Sequence, residues 1–225
     1  VRQSHEKLFS GLAGAAERWL SSFNVQNLAN TAWAFATLGQ SDEKLFMALA
    51  RAAESQLSSF SAQGLANTAW AFATVRQSGE KLFSAVAGAT ERRLSSFNAK
   101  GLANTAWAFA TLGQSNQKLF AALSGAAESQ LSSCSAQSLA NTAWAFATVR
   151  QSDEKLFAAL VRASERLLSS FNVEEFASIM GTLTCGLSLS PWRCWIHRGS
   201  PACSAVVPYQ GQGVALHASC AQKIF

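Results

Sequence analysis

The decapeptide LANTAWAFAT, Leu28–Thr37, recurs unchanged from Leu65, Leu102 and Leu139, 37 residues apart each time. Unbroken recurrence at such a period is the signature of a stacked repeat array. One unit of this size cannot bury its own apolar face, so neighbouring units must supply the core. A second period lies over the first. Leu38-Gly39 and Leu112-Gly113 alternate with Val75-Arg76 and Val149-Arg150, and ERWLSSFN, ESQLSSFS, ERRLSSFN and ESQLSSCS follow in turn from Glu17, Glu54, Glu91 and Glu128. The duplicated block is therefore 74 residues, two unlike repeats copied together. Because such copies share one origin, a residue kept in all of them is a single observation.

Each unit reads as two antiparallel helices joined by a short turn. Helix A runs from about Val25 to Leu38, with Asn24, Ser61, Asn98, Ser135 and Asn172 as N-caps whose side chains accept a bond from an orphan backbone N–H. Phe23 before the cap and Leu28 at the fourth helical position have the spacing of a hydrophobic staple. Gly39 or Gln40 ends helix A, and Ser41 is expected to cap helix B, which carries Asp42 and Glu43 at its start and continues to about Leu57. On a helical wheel, Val25, Leu28, Ala29, Ala32, Phe35 and Ala36 fill the apolar arc of helix A, with Trp33 at its edge and Gln26, Asn27, Asn30, Ala34 and Thr37 opposite. The fold class is all-α, an α-solenoid of stacked helix–turn–helix repeats with an irregular C-terminal tail.

The expected organisation is a truncated repeat (second helix only) over residues 1–22, four helical hairpins over 23–170 and a degenerate fifth helix over 171–185. Residues 186–225, with Pro191, Pro201, Pro208 and no helical stripe, read as irregular or disordered. The chain starts at Val1, inside a repeat, so an N-terminal segment carrying any targeting peptide is expected to be missing.

The formal charge of +5 is a weak guide, because the part up to Glu175 holds 15 Lys and Arg against 13 Asp and Glu. No stretch reaches the ~18–20 apolar residues of a membrane span. Cys185, Cys194, Cys203 and Cys220 lie in the tail without C-x-x-C spacing, so no metal is expected, even with His197 and His217 nearby. Cys134 stands where other copies carry Phe23, Phe60 and Phe97, and reads as a small buried apolar residue. The repeats hold no paired carboxylates, nucleophile–base set or phosphate-binding glycine loop. No catalysis, cofactor or small-molecule substrate is expected.

The motif from Gln26 to Gly39, Q-x-L-A-N-T-A-W-A-F-A-T-L-G, resembles octotricopeptide-type helical repeats and the related FAST-type leucine-rich repeats of organellar RNA-binding proteins. The resemblance covers about Arg2 to Glu175. It implies single-stranded RNA binding in a mitochondrion or chloroplast, in RNA processing, stability or translation. Two features depart from it: no nuclease-like domain follows the repeats, and the copies are unusually alike.

A helical-repeat RNA binder presents the same helix of each unit to the strand and reads about one base per repeat with two or three side chains. The first turn of helix A varies within a fixed frame: Gln26-Asn27, Gln63-Gly64, Lys100-Gly101, Gln137-Ser138, Glu174-Glu175. Gln26, Asn27, Gln63, Lys100, Gln137 and Ser138 are therefore candidate base readers, with free drift at exposed positions as the equal alternative. Asn30, Asn67, Asn104 and Asn141 form a second column, open to base contact, though a structural ladder of amides bonded to one another is the preferred reading. Trp33, Trp70, Trp107 and Trp144 can stack bases, but burial in the core is the commoner use. Arg76 and Arg150, with Arg2 at the same register, are candidate phosphate contacts; Lys7, Lys44, Lys81, Lys118 and Lys155 read as a solvated face. The leading expectation is a non-catalytic single-stranded RNA binder. The alternative is a protein-interaction scaffold, and a decaying fragment of a repeat gene is a third reading. A positive A-helix groove would favour the first and an apolar one the second.

Overall fold

A computed structural model describes residues 2–151 and 153–173 together with 175, 177 and 179, with side chains from Lys7 onward. All belong to a single unit, Val1–Leu187. Among the described residues there are nine α-helices and no strands: α1 (Arg2–Trp19), α2 (Val25–Thr37), α3 (Glu43–Gln56), α4 (Ala62–Thr74), α5 (Glu80–Arg92), α6 (Ala99–Thr111), α7 (Gln117–Gln130), α8 (Ala136–Thr148) and α9 (Glu154–Arg166). The even-numbered helices are the A layer and the odd-numbered ones the B layer. A short 3₁₀ turn of sequence LSS follows every B helix. Val173, Glu175, Ala177 and Ile179 are helical, where a fifth helix A is expected. The expected irregular tail, with four of the cysteines, both of its histidines and all three prolines, lies outside the described residues.

Side-chain caps begin most of these helices. Asn24, Ser61, Asn98 and Ser135 each accept the backbone N–H three residues on, at 2.8–3.2 Å. Asn172 and Glu175 satisfy one another's N–H groups reciprocally, in a capping box. Helix B is capped one residue later than Ser41 and its equivalents. Asp42, Asn116 and Asp153 accept the N–H of Leu45, Leu119 and Leu156, while Gly79 caps α5 with no side chain. The carboxylate- or amide-bearing residue next to the helix makes the cap in place of the serine before it. Ser124 donates to Asp153 at 2.6 Å and, with the capped N–H groups, holds that carboxyl below its usual range.

The core repeats with the sequence. Each B helix sends one phenylalanine edge-on against that of the next A helix: Phe9–Phe35, Phe46–Phe72, Phe83–Phe109 and Phe120–Phe146, with centroids 5.0–6.1 Å apart. Such pairs contribute about 0.5–1.5 kcal/mol beyond the area they bury. Successive A helices lie against one another along their length, far more closely than successive B helices do. The flank each A helix turns to its predecessor explains this. It carries Gly101, Thr105 and Ala108 in α6 and Ser138, Thr142 and Ala145 in α8, all buried. Their counterparts in α2, the first A helix, are Asn27, Thr31 and Ala34, of which Asn27 and Ala34 are exposed. A Cβ on Gly101 would crowd Phe97 Cδ1 and Asn98 Oδ1 at 3.2 Å and make ordinary contact with Ala66 of α4 at 3.7 Å.

A clasp on the other layer ties units together. Gln56 donates to the Phe23 carbonyl at 3.4 Å, Gln130 to that of Phe97 at 2.8 Å, and Arg93, at the same register, to the carbonyls of Leu57, Phe60 and Ser58. Each reaches back to the 3₁₀ turn or its end in the unit before. At this register, where Trp19 and Leu167 stand in the outer units, Gln56, Arg93 and Gln130 therefore do one structural job in two forms.

The flank generates a paired prediction. Ala108→Leu overpacks the junction of α4 and α6 and costs about 1–3 kcal/mol in denaturant unfolding. Ala34→Leu, the same position of the same decapeptide, changes stability by less than about 0.5 kcal/mol. Equal effects would contradict the small-residue account of the A layer.

Candidate functional site

One stripe of each A helix is left over once the core and both flanks are built. Its residues lie at i, i+4, i+7 and i+11, within an arc of about 60°: Gln26, Asn30, Trp33 and Thr37 in α2, and their equivalents in α4, α6 and α8. Gln26, Gln63, Lys100 and Gln137 are fully exposed. Asn30 is exposed, and Asn67, Asn104 and Asn141 are half-buried between neighbouring A helices. Close stacking sets these residues in rows across the array, one of each type per repeat.

Two expectations change here. The asparagines do not bond one another: among the described residues none of the four amides has a hydrogen bond to protein. Contact between A helices runs through the small-residue flank and leaves the amides beside it unused. Nor are the tryptophans core. Trp33 is 48 % exposed, and Trp70, Trp107 and Trp144 are half-buried, one side packed on the core and the other in the stripe between the Asn and Thr rows. Their rings follow one another at 6.5 Å (Trp70–Trp107) and 6.3 Å (Trp107–Trp144), tilted by 31° and 36°.

The first-turn candidates divide. Gln26, Gln63, Lys100 and Gln137 belong to the stripe, whereas Ser138 is 5 % exposed, bonded to Ser135 and turned toward the preceding helix, so it is no surface reader. Asn27 is exposed because α2 has no described A helix before it. Variation at this second position tracks packing: Gly, Gly and Ser wherever a neighbour presses on it.

Arg76 and Arg150 are exposed and occupy the left-handed region, with φ of 57° and 56°. Each is the residue that closes an A helix: Arg76 donates its N–H to the Ala73 carbonyl at 3.0 Å, and Gln77 donates to Phe72 at 2.9 Å. This is the Schellman arrangement, which favours glycine, and Gly39 and Gly113 take the same place at φ 65° and 69°. The side chain of Arg2 lies outside the described residues. In the B layer, Lys118 pairs with Glu91 at 2.8 Å while remaining 85 % exposed, a contact worth little. Cys134 is half-buried against the core, and burial pushes its thiol up.

Charge is segregated between the layers. Helices α2, α4, α6 and α8 contain no Asp or Glu, and the acidic residues from Glu6 to Glu165 lie on B helices or in their caps; Glu174 and Glu175 fall at the start of the expected fifth helix A. The cations of the A layer are Lys100 and, at helix ends, Arg76 and Arg150. A count over the whole chain hides this; a count helix by helix reveals it. Among the described residues no helix is long and apolar enough to cross a membrane, and no cluster of three or more His, Cys, Asp or Glu could hold a metal ion.

The architecture defines an all-α repeat protein whose accessory surface is an amide and aromatic stripe free of carboxylates. The chain belongs to the family of RNA-editing substrate-binding complex 6 proteins, whose model matches residues 1–185. No curated protein matches it. The family agrees with the resemblance of the repeat motif in its tie to RNA processing.

The glycine-favouring turns yield a prediction on stability. Arg76→Gly and Arg150→Gly each relieve left-handed strain and raise stability by about 1 kcal/mol, read from denaturant midpoints. Destabilisation by either would show that the arginine side chain contributes contacts that outweigh its backbone cost.

Proposed function

We propose that the A-layer stripe binds single-stranded RNA without catalysing a reaction on it. The carrying observation is that α2, α4, α6 and α8 hold no carboxylate, unlike the fifth helix A with Glu175, and set one free amide and one partly exposed indole per repeat on a common face. Phosphate binding is dominated by the charge a surface presents. These four helices and their ends, with three cations and no anions, attract a polyanion more than the mixed B layer does. Gln26, Gln63, Lys100 and Gln137 stand at the base-reading position, with Asn30, Asn67, Asn104 and Asn141 one turn on. Arg76 and Arg150 hold phosphates at the helix ends, which gives their strained backbone a purpose.

The family's description names an RNA-editing substrate-binding complex, so the work proposed is organellar RNA processing, and the mitochondrion is favoured over the chloroplast. The octotricopeptide and FAST-type likeness supports the same mode of presentation, one helix per repeat facing the strand. A protein partner as well is favoured by the family's description, which names a complex.

The test is fluorescence anisotropy of the full chain with single-stranded RNA over a range of salt. Affinity is expected to fall log-linearly with salt. Lys100→Glu should weaken binding and lower the salt slope by about one, and Lys44→Glu, on the B layer, should do so less. Equal losses would indicate diffuse charge rather than a defined face. No binding at low salt by well-folded protein would reject the proposal.

A further inference from the structure

The tryptophan column offers more than bulk. Trp70, Trp107 and Trp144 are packed against the core, which fixes their orientation, and each stays partly exposed on a face of its helix that holds no carboxylate. The consecutive ring separations of 6.5 and 6.3 Å are close to twice the ~3.4 Å that separates stacked bases. The row on one side of the rings carries side chains suited to a base edge, the unbonded amides of Asn67, Asn104 and Asn141, whereas the Thr111 and Thr148 hydroxyls on the other side are buried. Thr74 spends its hydroxyl on the Trp70 carbonyl at 2.8 Å, so the amide supplies the free polar group at that step. A purely structural tryptophan has no need of an exposed part, nor of an unpaired amide one turn away in every copy.

We infer that Trp70, Trp107 and Trp144, with Trp33 at the end of the row, form a stacking platform for unpaired RNA bases, about one per repeat, each base meeting the asparagine beside its tryptophan. This rests on the RNA-binding reading and adds a mode to it. Stacking accepts every base, because every base has a π-face. The four copies present the same Asn–Trp pair, so the platform grips unpaired strands with little regard to sequence. Discrimination falls to the first-turn residues, which alone differ along the stripe. Duplex RNA, whose bases are already stacked and paired, is excluded.

The experiment titrates the full chain with an oligouridine, following anisotropy of labelled RNA and intrinsic tryptophan fluorescence together. An abasic oligonucleotide of equal length and charge serves as the second ligand. The platform predicts saturable quenching with the same midpoint as the anisotropy change, and at least tenfold weaker binding of the abasic strand. Trp70→Leu/Trp107→Leu should lose at least tenfold in affinity, whereas Trp70→Phe/Trp107→Phe, which keeps flat rings, should retain most of it. Circular dichroism and thermal melting of both variants separate loss of platform from loss of fold. RNA binding without quenching, with the abasic strand bound equally well, would overturn the platform and leave the RNA-binding surface standing. Failure of the wild-type chain to bind either ligand would overturn both.

Discussion

The close approach of one A helix to the next is the constraint on which the rest of this structure depends. Helices whose contacting flank is Gly or Ser, then Thr, then Ala lie against one another along their length. The phenylalanines lie on the face that meets the B layer, where they pair edge to face, and the tryptophans stand in the outer stripe. Because both flanks and the core face are committed, each helix has a single narrow stripe left. Repetition then turns that stripe into rows. The functional surface is a by-product of packing: the same small residues that bring the backbones together bring the indoles within 6.5 Å of one another.

The two halves of the 74-residue block use different chemistry for the same joints. An arginine and a pair of glutamines clasp the preceding unit through backbone carbonyls. Glycine and arginine alternate at the close of helix A, where only glycine takes the left-handed conformation without cost. The clasp solves one structural need twice. The helix close does not, since arginine is the poorer residue there for stability alone. A residue that weakens the fold and adds a cation to the carboxylate-free layer fits a trade of stability for binding.

The fold was legible because its evidence is periodic. A decapeptide returning every 37 residues, N-caps ahead of it and an apolar arc at helical spacing all point to the same stacked hairpins. The B-helix caps were misplaced by one residue because serine and the aspartate or asparagine after it are both good caps, and only the backbone settles which one sits at the helix start. The site was legible in part. A wheel for an isolated helix cannot distinguish the flank that meets a neighbour from the stripe that meets solvent. Ser138 therefore reads as exposed, the asparagines as a bonded ladder and the tryptophans as core. Two flanking helices, rather than one apolar arc, decide those positions. The absence of carboxylates from the A layer was in plain sight, but it gains meaning only when residues are counted by layer.

The most direct test of the central claim is photocrosslinking of the full chain to single-stranded RNA containing 4-thiouridine, with the crosslinked residues mapped by mass spectrometry. The account predicts crosslinks concentrated on the stripes of α2, α4, α6 and α8, at the tryptophans and the residues beside them. Crosslinks confined to the B helices, or spread evenly over both layers, would contradict it.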